Sequence, residues 1–295
     1  MNAISDALII TKRQLLQLAR VPEVLIFSTI QPIMFVLLFR YVFGGSIDTG
    51  QPGGYVQLLM PGIFVQTVAF TLAATAVGLA ADMQKGLIDR FRSLPISRAA
   101  VVFGRTLGDG VLNIVVLAAM GITGFVVGWR PSSGPLKITL GFLFLFLFGF
   151  AMSWVGVLIG LAVKDERVAQ NATFIAVFPL TFLSNAFAPT TGMPKPLQYV
   201  AEWNPVSTMV AGCRELFGLK NEFGATAGSF PSDNPLLMSL IYMVIIMAIF
   251  IPLSVRKYNN AANKYLIKGL CLKHCHCNLF SVWRGVVNSL TNLCT

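Results

Sequence analysis

The chain has 295 residues, of which 55% are hydrophobic and only 12% charged, with 23 Phe among them. A soluble domain carries about 25% charged residues, so these polar groups are too few to cover an aqueous surface, and the composition reads as a membrane protein. The formal net charge of +10 comes from Lys and Arg in short segments between apolar runs. That distribution argues against a nucleic-acid partner and for basic loops beside membrane spans.

Residues 1–20 are expected to form a cytoplasmic helix. Ile4, Leu8, Leu15 and Leu18 fall on one side of it, and Asp6, Arg13, Gln17 and Arg20 on the other. Two arrangements suit this pattern: a helix lying in the inner membrane interface, or a solvated helix leading into the first span. The first apolar run begins near Val24 with no small-residue cleavage site after it. It is therefore expected to be retained as a span and not removed as a signal peptide.

A bilayer core of about 30 Å takes roughly 20 apolar residues as helix. Six runs qualify: Val24–Phe43, Leu58–Ala81, Leu107–Gly128, Ile138–Val163, Val168–Ala188 and Leu236–Val255. The expectation is an all-α integral membrane protein, with residues 21–258 as a six-span domain and 259–295 as a cytoplasmic tail. With residues 1–20 inside, the inner segments hold 16 of the 22 Lys and Arg, which favours both termini in the cytoplasm. Gly104-x-x-x-Gly108, Gly124-x-x-x-Gly128 and Gly156-x-x-x-Gly160 have the spacing of small-residue faces on which membrane helices pack.

Between the second and third runs lies "ADMQKGLIDRFRSLPISRAAVVFGR", with five Lys or Arg and two Asp. Leu87, Ile88, Phe91 and Leu94 make an apolar ridge opposite Asp89, Arg90 and Arg92. Pro95 stops that helix, and Ser97 is placed to cap the next one. Charge alone would serve to orient the chain. The ridge and the break are features of a helix that docks in a partner's groove.

Ionisable residues deep in the spans mark proton or ion coupling, and they are scarce here. Arg105 and Asp109 are read as interfacial, at the inner end of the third run. Neutral polar residues are more frequent. Thr67, Thr71 and Thr75 repeat every four residues in the second run, and Asn171, Thr173, Thr181, Ser184 and Asn185 mark the fifth. Such residues can line a path for an amphipathic substrate. Equally, they can bond their own backbone or join helices.

The outer loop Pro189–Asp233 is the longest. Asn204 has the character of an N-cap with Pro205 at the first helical position, so a short helix is expected over Pro205–Phe217. Being too short to span, this helix and the Lys195–Trp203 turn are expected to dip into the outer leaflet and return; an ordinary extracellular loop is the alternative.

No GxxxxGK[ST] phosphate loop and no HExxH zinc motif occur in the chain, so neither nucleotide hydrolysis nor metalloprotease chemistry is expected by those routes. From Lys264 the composition shifts, and this tail holds four of the five cysteines and both histidines. Cys271, His274, Cys275, His276 and Cys277 are too crowded for a zinc ribbon. The tail therefore reads as an extension without function of its own.

The whole resembles a family: the membrane subunits of ABC type 2 exporters, in particular the daunorubicin-resistance-like permeases of bacteria. The resemblance covers about residues 4–260 and rests on "QKGLIDRFRSLPISRAAVVFGR", "KDERVAQ" and "MPKPLQYVAEWNPVSTMVAGCRELFG", in that order among the spans. It implies that Gly86, Leu87, Ile88, Asp89, Arg90, Phe91, Arg92, Leu94 and Pro95 form a coupling helix against a separate ATPase subunit. It also implies an N-terminal connecting helix, a re-entrant outer pair, and a pathway formed by two permease chains, alike or homologous, with two ATPases in a bacterial plasma membrane. ATP and Mg would then be bound by the ATPase, with no cofactor or metal in this chain and no catalytic residue. The rival reading is an ATP-independent secondary carrier or lipid-translocating protein, which predicts a buried acid or inverted repeats with broken helices.

Overall fold

A computed structural model describes residues 3–20, 22–43, 55–86, 98–163, 165–187, 190–219 and 230–258. Among these residues the regular structure is helical throughout, with no strand. The helices are α1 (Ala3–Arg20), α2 (Pro22–Leu38), α3 (Tyr55–Gln84), α4 (Arg98–Val127), α5 (Pro135–Ala162), α6 (Glu166–Phe182), α7 (Lys195–Glu202), α8 (Pro205–Leu216) and α9 (Pro235–Tyr258). A π turn, Phe39–Phe43, continues α2.

Four helices, α3, α5, α9 and the Val101–Val127 part of α4, are long and apolar enough to cross a membrane. At about 1.5 Å per residue, α3 and α5 run to more than 40 Å, so their ends overshoot a core of about 30 Å. The fifth apolar run is shorter as a helix, Glu166–Phe182 having 17 residues, while α2 and its π turn are helical from Pro22 to Phe43. The fifth run was expected to continue to Ala188. Instead α6 ends at Phe182, three residues after its internal Pro179, and the chain turns back toward α8.

The central helix is α3. From Tyr55 to Gln66 every residue is buried, which is why this stretch is apolar on all sides and has no amphipathic stripe. Phe64 sits among Trp129, Phe142 and Phe217 with ring centroids 5.4, 5.7 and 6.3 Å away, tying α3, α4, α5 and α8 together at one end. Toward the other end α5 lies directly on α3. A Cβ added at Gly160 would stand 2.7 Å from the Ala76 carbonyl oxygen, and one at Gly156 would strike the Leu72 carbonyl. The Gly156–Gly160 pair is therefore the close-packing face that its spacing predicts. In the Gly124–Gly128 pair only Gly124 packs closely, a Cβ there standing 2.6 Å from Met60 Cε of α3. Gly128 has φ +105° with open space at its Cβ position, so it ends α4, and the Trp129 N–H closes that end on the Gly124 carbonyl (2.8 Å).

Helix α1 docks on α4. Thr11 Oγ1 donates to the Gly104 carbonyl (3.0 Å), and Gln14 fits over Gly108, where a Cβ would come within 3.1 Å of its side chain. Leu8, Ile9 and Leu16 remain exposed on α1. The bundle as a whole turns large apolar side chains outward, among them Phe27, Ile122, Val126 and Ile175, each at least two-thirds exposed. A surface of that kind belongs in lipid.

Candidate functional site

A cavity of about 370 Å³ opens between α2, α3, α4 and α6. One wall is aromatic. Phe174, Phe178 and Phe182 recur every four residues on α6 and so share one face; their rings stack with centroids 5.0 and 4.2 Å apart. Phe182 continues this ladder to Phe187 (5.5 Å) and Phe187 to Phe39 (5.2 Å), while Phe70 of α3 meets Phe174 at 6.1 Å. Polar side chains are scattered over the other three helices, Ser28 and Gln31 of α2, Gln66, Thr67 and Thr71 of α3, and Asp109 and Asn113 of α4, beside apolar Ile63, Leu112 and Val116. The cavity is thus mostly apolar with hydrogen-bonding groups set among the apolar ones, able to hold a flat or extended apolar body that carries a few polar groups.

The polar residues singled out in the sequence divide by position. Thr67 and Thr71 line the cavity, although Thr71 Oγ1 donates to its own helix at the Val68 carbonyl (2.7 Å). Thr75 is fully buried and turns to α4, donating to Asp109 Oδ2 at 2.7 Å. Asn171 lies on an exposed part of α6 and is not among the cavity-lining residues. Thr181 is buried and donates to the Val177 carbonyl (3.0 Å). Asn185 is buried at the turn after α6, where its backbone N–H donates to Ser207 Oγ (3.3 Å).

Asp109, read from the sequence as interfacial, is buried within the protein. It is 9% exposed, held by Gln14 of α1 (Nε2 to Oδ1, 3.2 Å) and by Thr75, and it reaches the cavity wall. Its neighbour Arg105 pairs instead with Asp82 at the end of α3. One polar cluster therefore joins α1, the last turns of α3 and the first turns of α4, the two helix ends that flank residues 87–97. The aromatic ladder and this cluster escaped sequence reasoning. The Phe spacing of four was legible as a face, but only packing shows that Gln14, 95 residues before Asp109, meets it.

Of the residues expected to form a coupling helix, Gly86 lies within the described part. It closes α3 with φ +65°, its N–H donating to the Met83 carbonyl at 3.2 Å, a conformation that glycine adopts without steric cost. Leu87, Ile88, Asp89, Arg90, Phe91, Arg92, Leu94 and Pro95 lie outside the described residues, as do the cysteines and histidines of the tail. Helix α4 is described from Arg98 onward.

At the opposite end, α8 is a short buried helix capped as its sequence predicts: Asn204 Oδ1 accepts from the Val206 N–H at 2.9 Å. It carries Arg214, which is fully buried and donates to the carbonyls of Leu58 (3.1 Å, Nη2) and Asn185 (2.9 Å). Burial pulls this guanidinium down to about 9, with Cys213 and Tyr55 opposing. Burial also pushes the Cys213 thiol up. In the sequence Arg214 counts merely as one outer basic residue. In the fold it fastens α8 to α3 and to the turn after α6.

A helical membrane bundle that encloses a cavity between four of its helices suits transport. The sequence places it further: residues 6–217 match the ABC-2 type transporter family, and the chain belongs to that family. It is 32% identical over 259 residues to the daunorubicin resistance ABC transporter permease protein of Streptomyces coeruleorubidus, covering 88% of each chain. It is 27% identical over 218 residues to a putative transport permease of Cyanophora paradoxa, covering 72% of this chain and 74% of that one. With a probable doxorubicin resistance ABC transporter permease protein of Mycobacterium tuberculosis (strain ATCC 25618 / H37Rv) it shares 23% identity over 246 residues, 82% of each.

Proposed function

We propose that this chain is the membrane-spanning subunit of an ABC exporter that moves an amphipathic or hydrophobic substrate, a drug, lipid or glycolipid, out of the cell with ATP hydrolysed by a separate subunit. The observation that carries this reading is the cavity between α2, α3, α4 and α6, with its Phe ladder and the hydrogen-bonding groups of Gln66, Thr67 and Thr71. A purely polar solute would find no partners on the ladder, and a purely apolar one would leave those groups unmatched.

In this reading the bundle has six spans. α2 with its π turn and α6 with the turn after it complete the four long helices; α7 and α8 form the re-entrant outer pair, and α1 lies in the inner interface. Both termini are cytoplasmic, the membrane is a bacterial plasma membrane, and two such chains, alike or homologous, work with two ATPases. Residues 86–95 contact the ATPase, the coupling helix lying between the turn at Gly86 and the break at Pro95. ATP-driven closure of the ATPases moves that helix, and the Arg105–Asp82 pair with the Gln14–Asp109–Thr75 cluster carries the motion to the cavity wall. Asp109 is the one observation that favours an ATP-independent carrier, because such a carrier needs a buried acid.

Transport of a fluorescent amphipath into inverted vesicles, with the chain and its ATPase co-expressed, separates the two. ATP-dependent uptake that is lost in Thr67→Phe and retained in Asn171→Ala supports the exporter and its cavity. Uptake driven by a proton gradient without the ATPase and lost in Asp109→Asn would establish the carrier.

A further inference from the structure

A second cavity, unrelated to the pathway, runs along the outside of the bundle between α4 and α5. It has a volume of about 660 Å³, is bordered by α4 from Ile114 to Val126 and by Phe142 and Phe146 of α5, and includes Trp129 in its wall. Its lining is wholly apolar in residue type, and several lining residues, including Ile122, Phe125 and Val126, are at least half exposed. Twelve residues of helix between Ile114 and Val126 make the slot about 18 Å long. A slot of this length, apolar throughout and open along the outside of the bundle, matches extended alkyl chains of the surrounding lipid.

At the α4 end of the slot stands Arg130. Its Nη1 donates to the carbonyls of Phe125 (2.6 Å) and Trp129 (3.0 Å), and its guanidinium carbon lies 4.9 Å from the centre of the Phe125 ring. These contacts fix the guanidinium at the helix end while the residue stays exposed. Nε and Nη2 then remain available to an anionic group arriving from the membrane surface.

We propose that this slot is a binding site for an anionic phospholipid of the surrounding bilayer, its acyl chains in the groove and its phosphate on Arg130. An acyl chain gains no transfer free energy on leaving the bilayer for the slot, since lipid tails are as apolar as its lining. Selectivity therefore rests on the headgroup, where a guanidinium matches phosphate in geometry as well as charge. The site is separate from the Phe-ladder cavity, so the proposal stands apart from the identity of the transported substrate.

The test uses the full chain in nanodiscs containing phosphatidylcholine together with a small fraction of lipid brominated in its acyl chain, carried on either phosphatidylglycerol or phosphatidylcholine. Bromine quenches tryptophan at short range, so Trp129, fully buried just behind the slot's lining, reports on a chain lying in the slot without touching it, and Trp129→Phe, measured in parallel, isolates its contribution. The expected result is quenching of Trp129 about three- to fivefold more effective by the glycerol lipid, the scale of a solvent-facing ion pair. Arg130→Gln should abolish that preference and Arg130→Lys retain part of it. Ala118→Phe, which blocks the slot and leaves Arg130 in place, should remove quenching by both lipids. Equal quenching by the two headgroups in the unaltered chain, an undiminished preference in Arg130→Gln, or undiminished quenching in Ala118→Phe would each overturn the proposal.

Discussion

Replacing Asn204 should destabilise this protein far more than the loss of a helix cap. Its Oδ1 caps α8 by accepting from the Val206 N–H at 2.9 Å, an interaction whose removal costs about 1 kcal/mol. Its Nδ2 simultaneously donates to the carbonyls of Leu180 (2.7 Å) and Leu183 (2.9 Å) at the end of α6. Each such bond contributes about 0.5–1.5 kcal/mol, and the site is buried, with Asn204 only 5% exposed, so water does not readily replace them. Asn204→Ala should therefore lower the unfolding free energy by about 2–4 kcal/mol. Asn204→Ser keeps a capping oxygen and cannot bridge to α6, so it should recover about 1 kcal/mol of that loss. Equilibrium unfolding in mixed micelles, followed by tryptophan fluorescence, measures the series. A loss of 1 kcal/mol or less in Asn204→Ala, or Asn204→Ser matching the unaltered protein, would refute the account of one side chain serving two helices.

At the α3–α5 contact, the 2.7 Å from a Gly160 Cβ to the Ala76 carbonyl is 0.7 Å less than the 3.4 Å of ordinary contact. Gly160→Leu should thus cost about 1–3 kcal/mol or more by overpacking, measured in the same assay. Gly110→Ala, whose Cβ meets Phe146 at 3.4 Å, should be neutral or slightly stabilising because Ala is the better helix former. In a chain truncated after Asn263, Cys213 is the single cysteine. Buried, with its thiol pushed up, it should resist maleimide until the protein is denatured; rapid native labelling would place α8 elsewhere. Leu87→Asp with Phe91→Asp should weaken co-purification with the ATPase at least thirtyfold, the scale of a lost hot spot of about 2 kcal/mol, while membrane insertion is unchanged. Unaltered co-purification would remove the coupling-helix assignment.

Much of this molecule was legible without coordinates because its signals are local. Apolar run length fixes which segments can sit in lipid, a four-residue glycine repeat marks where α5 can approach α3, and Asn204-Pro205 announces the start of α8. The membrane character and the family follow from such features. Other outcomes needed the tertiary structure, since they depend on partners distant in the chain. Asp109 is polar and near a helix end, which alone suggests an interface; Gln14 and Thr75 converge on it only when α1 lies across α4 and α3 lies beside it. Thr67, Thr71 and Thr75 share a face by spacing, yet the last of them meets the Asp109 carboxylate of α4 while the first two line a cavity. Arg214 gives no sign in the sequence of being fully buried. What makes that burial tolerable is a pair of carbonyls, Leu58 and Asn185, brought to it by two other segments. Sequence periodicity sets which side of a helix is apolar, whereas the neighbour that side meets is decided by packing.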